Sequence, residues 1–272
     1  MISTQLGAQL SHMSPRSPSS LRGRPRPPAL VLVAHGSRDP RALATVTALI
    51  ERIREERPGL TVRLGHIELN DPLLSDTLAE LPAGRAVLVP LLLSRGYHVK
   101  QDIPRAAAAA EHLLTRVAAP LGPHPLLVDA LHDRLTEAGW PAHLSERARR
   151  HTGVILAASG SRDPEAAVDT HRTAALLARR LGVPVVPAYA SAAGPDVATA
   201  VRVLAARGRH RVALASYFTA PGRFATESAE AAPGIVAAPL GTHPALARLV
   251  LHRYDTALTT APESAARHLA SA

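Results

Sequence analysis

Ala34-His35-Gly36-Ser37-Arg38-Asp39-Pro40 returns later in the chain as Ala158-Ser159-Gly160-Ser161-Arg162-Asp163-Pro164. Six of the seven positions agree, and the exception exchanges His35 for Ser159. Each copy follows an apolar run (Ala29–Ala34; Val154–Ala158) and precedes a long alanine-rich stretch with helical spacing. Leu121-Gly122-Pro123-His124-Pro125 likewise recurs as Leu240-Gly241-Thr242-His243-Pro244, and the segment after Arg85 runs parallel to the one after Arg211. Aligning that last pair on Gly96 and Gly222 sets His98 opposite Phe224. One half holds two histidines that the other lacks, which reads as one active site plus a supporting lobe.

Working outward, short β-rich runs alternate with helical stretches. Strands are predicted at Ala29–Ala34, Leu60–Glu68, Arg85–Leu92 and Arg116–Pro120, with helices at Pro40–Arg57, Pro72–Leu81, Asp102–Thr115 and Pro123–Ala138. In the second half strands fall near Gly153–Ala158, Val183–Tyr189, Arg211–Phe218 and Ile235–Pro239. Helices there are predicted at Pro164–Leu181, Pro195–Arg207, Phe224–Ala232 and His243–Leu258. Asp39-Pro40 and Asp71-Pro72 each place an acidic N-cap before a proline at the first helical position. Such alternation means βαβ units and an α/β fold: two tandem lobes related by duplication, each a small parallel sheet flanked by helices. The divisions predicted are a leader at 1–28, lobes at 29–138 and 153–260, a linker at 139–152 around Trp140, and a tail at 261–272. Right-handed crossovers then bring the loops at the strand C-termini together along one crevice.

Composition narrows the classes. There are 272 residues, comfortable for two lobes, and no cysteine, so neither a disulfide framework nor a thiolate metal site is available. Any borderline metal must be met by His, Asp, Glu or backbone oxygen. The formal charge of +9 falls to +5 once Arg16, Arg22, Arg24 and Arg26 of the acid-free leader are set aside. The other arginines are interspersed with Glu and Asp along helices, so nucleic acid is not the expected partner; the excess suits a polyanionic small molecule instead. The leader, rich in Ser, Pro and Arg, lacks the apolar stretch of a secretory signal and reads as a disordered tail or a misassigned start. No run approaches a membrane span, so a soluble cytoplasmic protein is expected. Neither a Walker motif nor Gly-x-Gly-x-x-Gly is present, and no nucleotide cofactor is expected.

Candidate site residues follow from the asymmetry. His35 leaves the first strand beside Gly36; it either faces a cleft or caps the next helix. A capping role would be needed twice, and its loss from the second copy favours the cleft. His98, in Ser94-Arg95-Gly96-Tyr97-His98-Val99-Lys100, suits metal binding or proton transfer near neutral pH. Glu68 ends the second strand, and strand alternation sets His66 on the same face. The matching Tyr189-Ala190-Ser191 has lost both. A carboxylate beside two histidines makes a borderline-metal site with open positions. His124 and His243, kept in both halves, read as helix starts instead. Gly36-Ser37-Arg38-Asp39 is also kept twice and so is partly architectural, although its amides at a helix start suit a carboxylate or phosphate.

Val33-Ala-His-Gly-Ser-Arg-Asp39, Ile67-Glu-Leu-Asn-Asp-Pro72 and Val89-Pro-Leu-Leu-Leu-Ser-Arg-Gly-Tyr-His-Val-Lys-Gln-Asp-Ile-Pro104 together resemble the sirohydrochlorin chelatase family, ATP-independent enzymes that insert a divalent metal into a tetrapyrrole. The resemblance runs strongly from Leu30 to about Leu131, with Gly153 to about Leu258 as a degenerate second copy. It implies two chelatase lobes facing across a cleft. His35 and His98 match the family's active-site histidines and Glu68 its acidic position, with all three as metal ligands; the family usually has an aromatic residue where His66 stands. Sirohydrochlorin is a polycarboxylate, and Ser37, Arg38, Arg95 and Lys100 are expected to anchor it. Fe2+ for siroheme is the expected metal, with Co2+ for a corrinoid as the alternative and Ni2+ also accepted by such ligands. A phosphohydrolase with a His nucleophile is disfavoured, since Ala34 stands where such enzymes need arginine. A non-catalytic metal or tetrapyrrole carrier would share the same ligands, and either a monomer or a homodimer fits two fused lobes.

Overall fold

The computed structural model describes residues 27–191 and 194–260. Most of the leader 1–28 and the tail from 261 lie outside these. The first half forms β1 (Ala29–Ala34), α1 (Pro40–Glu56), β2 (Val62–His66), α2 (Leu74–Ala79), β3 (Gly84–Pro90), α3 (Ile103–Ala109), β4 (Leu113–Val117) and α4 (Pro125–Glu137). After a short α5 (Glu146–His151) inside the expected linker, the order repeats. It runs β5 (Thr152–Ala158), α6 (Pro164–Leu181), β6 (Val185–Tyr189), α7 (Val197–Ala206), β7 (Arg211–Tyr217), α8 (Arg223–Glu230), β8 (Ile235–Val236) and α9 (Pro244–Thr259).

Two four-stranded parallel sheets result, ordered β2-β1-β3-β4 and β6-β5-β7-β8. In each sheet the chain leaves its first strand in one direction and returns on the other side. A crevice therefore opens at the C-terminal ends of β1 and β3, and again at β5 and β7. Alternation along β1 sorts its side chains between two cores. Leu30 and Leu32 join a cluster shared by both halves, whereas Val31 and Val33 pack with Leu74, Leu78 and Ile103 on the outer face. Ile155, Ala157 and Leu214 make the equivalent outer core of the second sheet.

The central layer does not respect the sequence boundary. Helix α4, from the first half, packs against β7 and α6, while α9, from the second, packs against β3, β4 and α1. Polar contacts fix the exchange. Arg57, at the C-terminal cap of α1, pairs with Asp255 of α9 at 2.5 and 2.8 Å. Arg116 of β4 donates to the terminal carbonyls of Ala257 and Leu258, both at 2.8 Å, which satisfies acceptors that a helix end leaves open. The repeat boundary near 139–152 is thus a boundary of sequence, and one hydrophobic core spans it.

Three expectations change. Asp71-Pro72 does not start a helix: α2 begins at Leu74 with no side-chain cap. The helix expected over Asp102–Thr115 is a π-helical turn, His98–Asp102, followed by the shorter α3. Leu113–Val117 then pairs with Gly84–Leu88, so β4 starts three residues before its expected position. The alanine run stays helical in α3, and sheet pairing takes Leu113–Thr115 out of the expected helix. Among the described residues no helix is long and apolar enough to cross a membrane.

Candidate active site

The repeated loop has a structural explanation in both copies. Asp39 caps α1 by accepting the Arg41 N–H at 2.9 Å, and Asp163 caps α6 by accepting the Glu165 N–H at 3.0 Å. The Ser37 and Ser161 hydroxyls accept the amides of Asp39 and Asp163, both at 3.1 Å. Gly36 and Gly160 adopt positive φ of 102° and 85°. A methyl group at either would overlap the carbonyl oxygen of Glu68 or of Ser191, where the adjacent strand exit crosses. The loop is therefore a folding device written twice. His124 and His243 belong to the same category: each caps a helix through Nδ1, accepting the amides of Leu126 and Ala245 at 3.2 Å.

On this scaffold the first half gathers the residues that the second lost. His35 Nε2 lies 3.4 Å from Glu68 Oε1. The His35 and His98 rings meet edge to face, with centroids 4.8 Å apart. The π-helical turn makes this approach possible: the His98 carbonyl accepts the Ile103 N–H, five residues on, which swings His98 out of the α3 register. Such turns recur at functional positions. Asp102 holds the His98 ring, accepting from Nδ1–H at 2.6 Å. That contact leaves Nε2 as the available nitrogen, the arrangement common behind metal-binding histidines. Asp102 escaped the sequence reading because it stood as a helix start; its spacing of four from His98 was the available signal. Asn70 escaped too, and its side-chain oxygen accepts the Ser37 N–H at 2.6 Å.

The matching positions in the second half are blank or closed. Ser159 stands for His35, Phe224 for His98 and Ser191 for Glu68, and the Ser191 hydroxyl donates to the Ser159 carbonyl at 2.6 Å. The expectation for His66 changes as well. Its strand ends at that residue, so alternation does not carry on to Glu68. His66 is buried, with Nδ1–H donating to the Pro72 carbonyl at 3.2 Å, and burial pushes its pKa below the ordinary histidine value. The expected trio of ligands is only partly assembled. His35 touches both Glu68 and His98, yet among the described residues no group of three or more His, Asp or Glu is close enough to hold a metal ion.

Both halves face one cleft of about 1890 Å³. Its volume exceeds the roughly 300–1,000 Å³ typical of small-ligand sites. Leu43, Leu69 and Tyr97 present exposed apolar surface toward it, and Phe218 and Phe224 line it from the second half. Leu69 adopts φ of +70°, uncommon for a residue with a side chain, immediately after Glu68. Of the expected anchors, Ser37 and Arg38 line the cleft, and Arg38 makes no ion pair among the described residues. Arg95 and Lys100 are engaged elsewhere. Arg95 pairs with Asp169 at 2.7 Å and Glu165 at 2.6 Å, and Lys100 with Asp163 at 2.6 Å and Glu165 at 2.5 Å.

Fold and site together define a class: a duplicated α/β protein whose parallel sheets face a shared cleft, with paired histidines on one wall only. The chain matches the CbiX family model over residues 29–138 and again over 153–257, and it belongs to that family. It is similar to the sirohydrochlorin ferrochelatase of Priestia megaterium, at 27% identity over 85% of this chain and 91% of that protein. The sirohydrochlorin cobaltochelatase of Methanococcus aeolicus is 36% identical over a shorter span, 30% of this chain and 60% of its own. Among solved structures, SirB from Bacillus subtilis with Fe3+ superposes with a TM-score of 0.66 at 23% identity, covering 85% of this chain and 95% of that one. This likeness supports the fold.

Proposed function

We propose that this protein is a sirohydrochlorin chelatase, inserting a divalent metal and releasing the two inner pyrrole protons: M2+ plus the free macrocycle gives the metal complex plus two H+. The observation that carries this reading is the one-sided contact of His35 with His98 at the edge of a cleft large enough for a macrocycle. The metal is a substrate that must be held and then handed on, so a loosely gathered set of ligands is suited to the task. In this reading His35, Glu68 and His98 receive the metal, and the two imidazoles take the leaving protons. Positioned bases of this kind contribute about 10²–10⁴ in rate. Asp102 fixes the His98 ring so that Nε2 faces the reaction. Ser37 and Arg38 anchor propionate or acetate side chains from one wall, joined by Arg162, the twin of Arg38, from the other. Arg95 and Lys100 are withdrawn from that role by their ion pairs.

Fe2+ is the metal we favour, because the relative aligned along 91% of its own length is named a ferrochelatase. Cobalt is the second reading, favoured by the higher identity of shorter relatives named cobaltochelatases. Anaerobic assays following the absorbance of sirohydrochlorin with Fe2+ or Co2+ decide between them by the ratio of kcat/KM. Binding of both substrates without formation of the metallated product would instead establish a carrier.

A further inference from the structure

The segment that carries His98 is held from the opposite half of the molecule. Arg95 lies three residues before His98, and three of its groups converge on Asp169 of α6. The backbone N–H donates at 3.0 Å, Nε at 2.9 Å and Nη2 at 2.7 Å. Asp169 is 1% exposed, so this charge has been taken out of water and needs its partner. Burial alone would push its carboxyl up, but the Arg95 hydrogen bonds hold it below the usual carboxylate value. Two residues before Arg95, the Leu93 carbonyl accepts from the Tyr217 hydroxyl at 3.0 Å. Tyr217 sits at the end of β7 and is buried. Beyond His98, Lys100 is tied to Asp163 and Glu165 at the start of α6.

This clasp has no twin. The backbones of the two halves meet reciprocally: Gly96 packs over the Ser161 hydroxyl as Gly222 packs over the Ser37 hydroxyl. The side chains break that symmetry. Thr45 occupies the place matching Asp169, Pro221 that of Arg95 and Thr226 that of Lys100. A feature needed only to join the halves had two equivalent places to form. It formed where it grips the loop of His98, in the half that keeps the His35–His98 pair.

We infer that Asp169 is a positioning residue, acting through Arg95, with which the degenerate half sets the place of His98. Its effect on turnover rests on the chelatase reading above; its effect on the loop does not. Displacing a reacting group by about 1 Å costs on the order of 10²-fold in rate. Asp169→Asn is therefore expected to lower kcat by about tenfold or more, with KM for sirohydrochlorin changed by less than about threefold.

The test compares wild type with Asp169→Asn, Asp169→Glu, Arg95→Gln and the Arg95→Gln/Asp169→Asn double variant. Arg95→Gln leaves Asp169 buried without its cation, so the double variant, which removes both charges, separates release of the loop from the cost of a lone buried carboxylate. Hydrogen exchange is followed over residues 94–102 alongside anaerobic kcat and KM. Expected are faster exchange over 94–102 in both single variants, kcat lost in both, partial recovery in Asp169→Glu, and a double variant no worse than the worse single. Multiplicative losses in the double variant, or a folded Arg95→Gln with kcat within about twofold of wild type, would overturn the inference. Should wild type itself insert no metal, the chelatase reading fails alone. The exchange arm then still decides the clasp, since unchanged protection over 94–102 in Arg95→Gln refutes it.

Discussion

Replacing Leu131 by Ala tests whether the two halves fold as one unit. Leu131 is 1% exposed on α4, in the cluster that runs through both sheets. Its helix belongs to the first half by sequence but packs against β7 and α6 of the second. A buried Leu→Ala change costs about 2–5 kcal/mol, a sum of lost transfer energy and the cavity left behind. For a structure of this size each kcal/mol lowers Tm by about 2–4 °C, so a shift of roughly 10 °C is expected. Because the exchanged helices make one core, that shift should move a single calorimetric transition, with calorimetric and van't Hoff enthalpies equal. Fluorescence of Trp140, buried where the first half ends, should report the same midpoint as far-UV circular dichroism. Two separate transitions, one of them unmoved by the substitution, would refute the shared core.

Acidification should loosen the exchanged helices first. His124 and His243 accept an amide proton through Nδ1, and burial holds both below the ordinary value of 6.5. The unfolded chain then binds protons first as pH falls, so stability declines through the window just below 6.5. Each lost cap is worth about 0.5–2 kcal/mol. A His124→Asn/His243→Asn variant, which caps without titrating, should keep more of its Tm at pH 5.5 than wild type does; an equal decline would contradict the capping role. Gly36→Ala and Gly160→Ala should each cost on the order of 1–3 kcal/mol in strain, measured as Tm, while only Gly36→Ala lowers turnover. Arg38→Gln and Arg162→Gln should raise KM for sirohydrochlorin with kcat little changed, the signature of uniform binding; a loss confined to kcat would argue against them as anchors.

Much of the fold was legible because duplication printed each signal twice. The Asp-Pro starts of α1 and α6 fall where the sequence places them, and β1 matches residue for residue. The proposed site pair was legible for the opposite reason: His35 and His98 are where the copies disagree. Less visible was anything set by three-dimensional competition. The early start of β4 depends on sheet pairing and the π-helical turn at His98 on a hydrogen bond spanning five residues, neither of which periodicity records. The exchange of α4 and α9 left no sequence mark, since each helix reads as the ordinary end of its repeat. Arg95 and Lys100 show the same limit. Their charge and loop position suggested a ligand anchor, but only the folded chain reveals the carboxylates of α6 already beside them. Asp102 was in plain view and was read only as the start of a helix, whereas its partner is the His98 side chain on the preceding turn.

The most direct test writes the second half's residues into the first. His35→Ser and His98→Phe reproduce Ser159 and Phe224, residues the same scaffold already accommodates. Initial rates of sirohydrochlorin metallation are measured anaerobically with Fe2+ and Co2+, for wild type and both variants, with Tm as the folding control. Expected is metallation by wild type, a fall of about 10²-fold or more in each variant, and Tm close to wild type. Near-wild-type rates in either variant, or no metallation by the folded wild-type protein, would contradict the assignment of chelatase chemistry to His35 and His98.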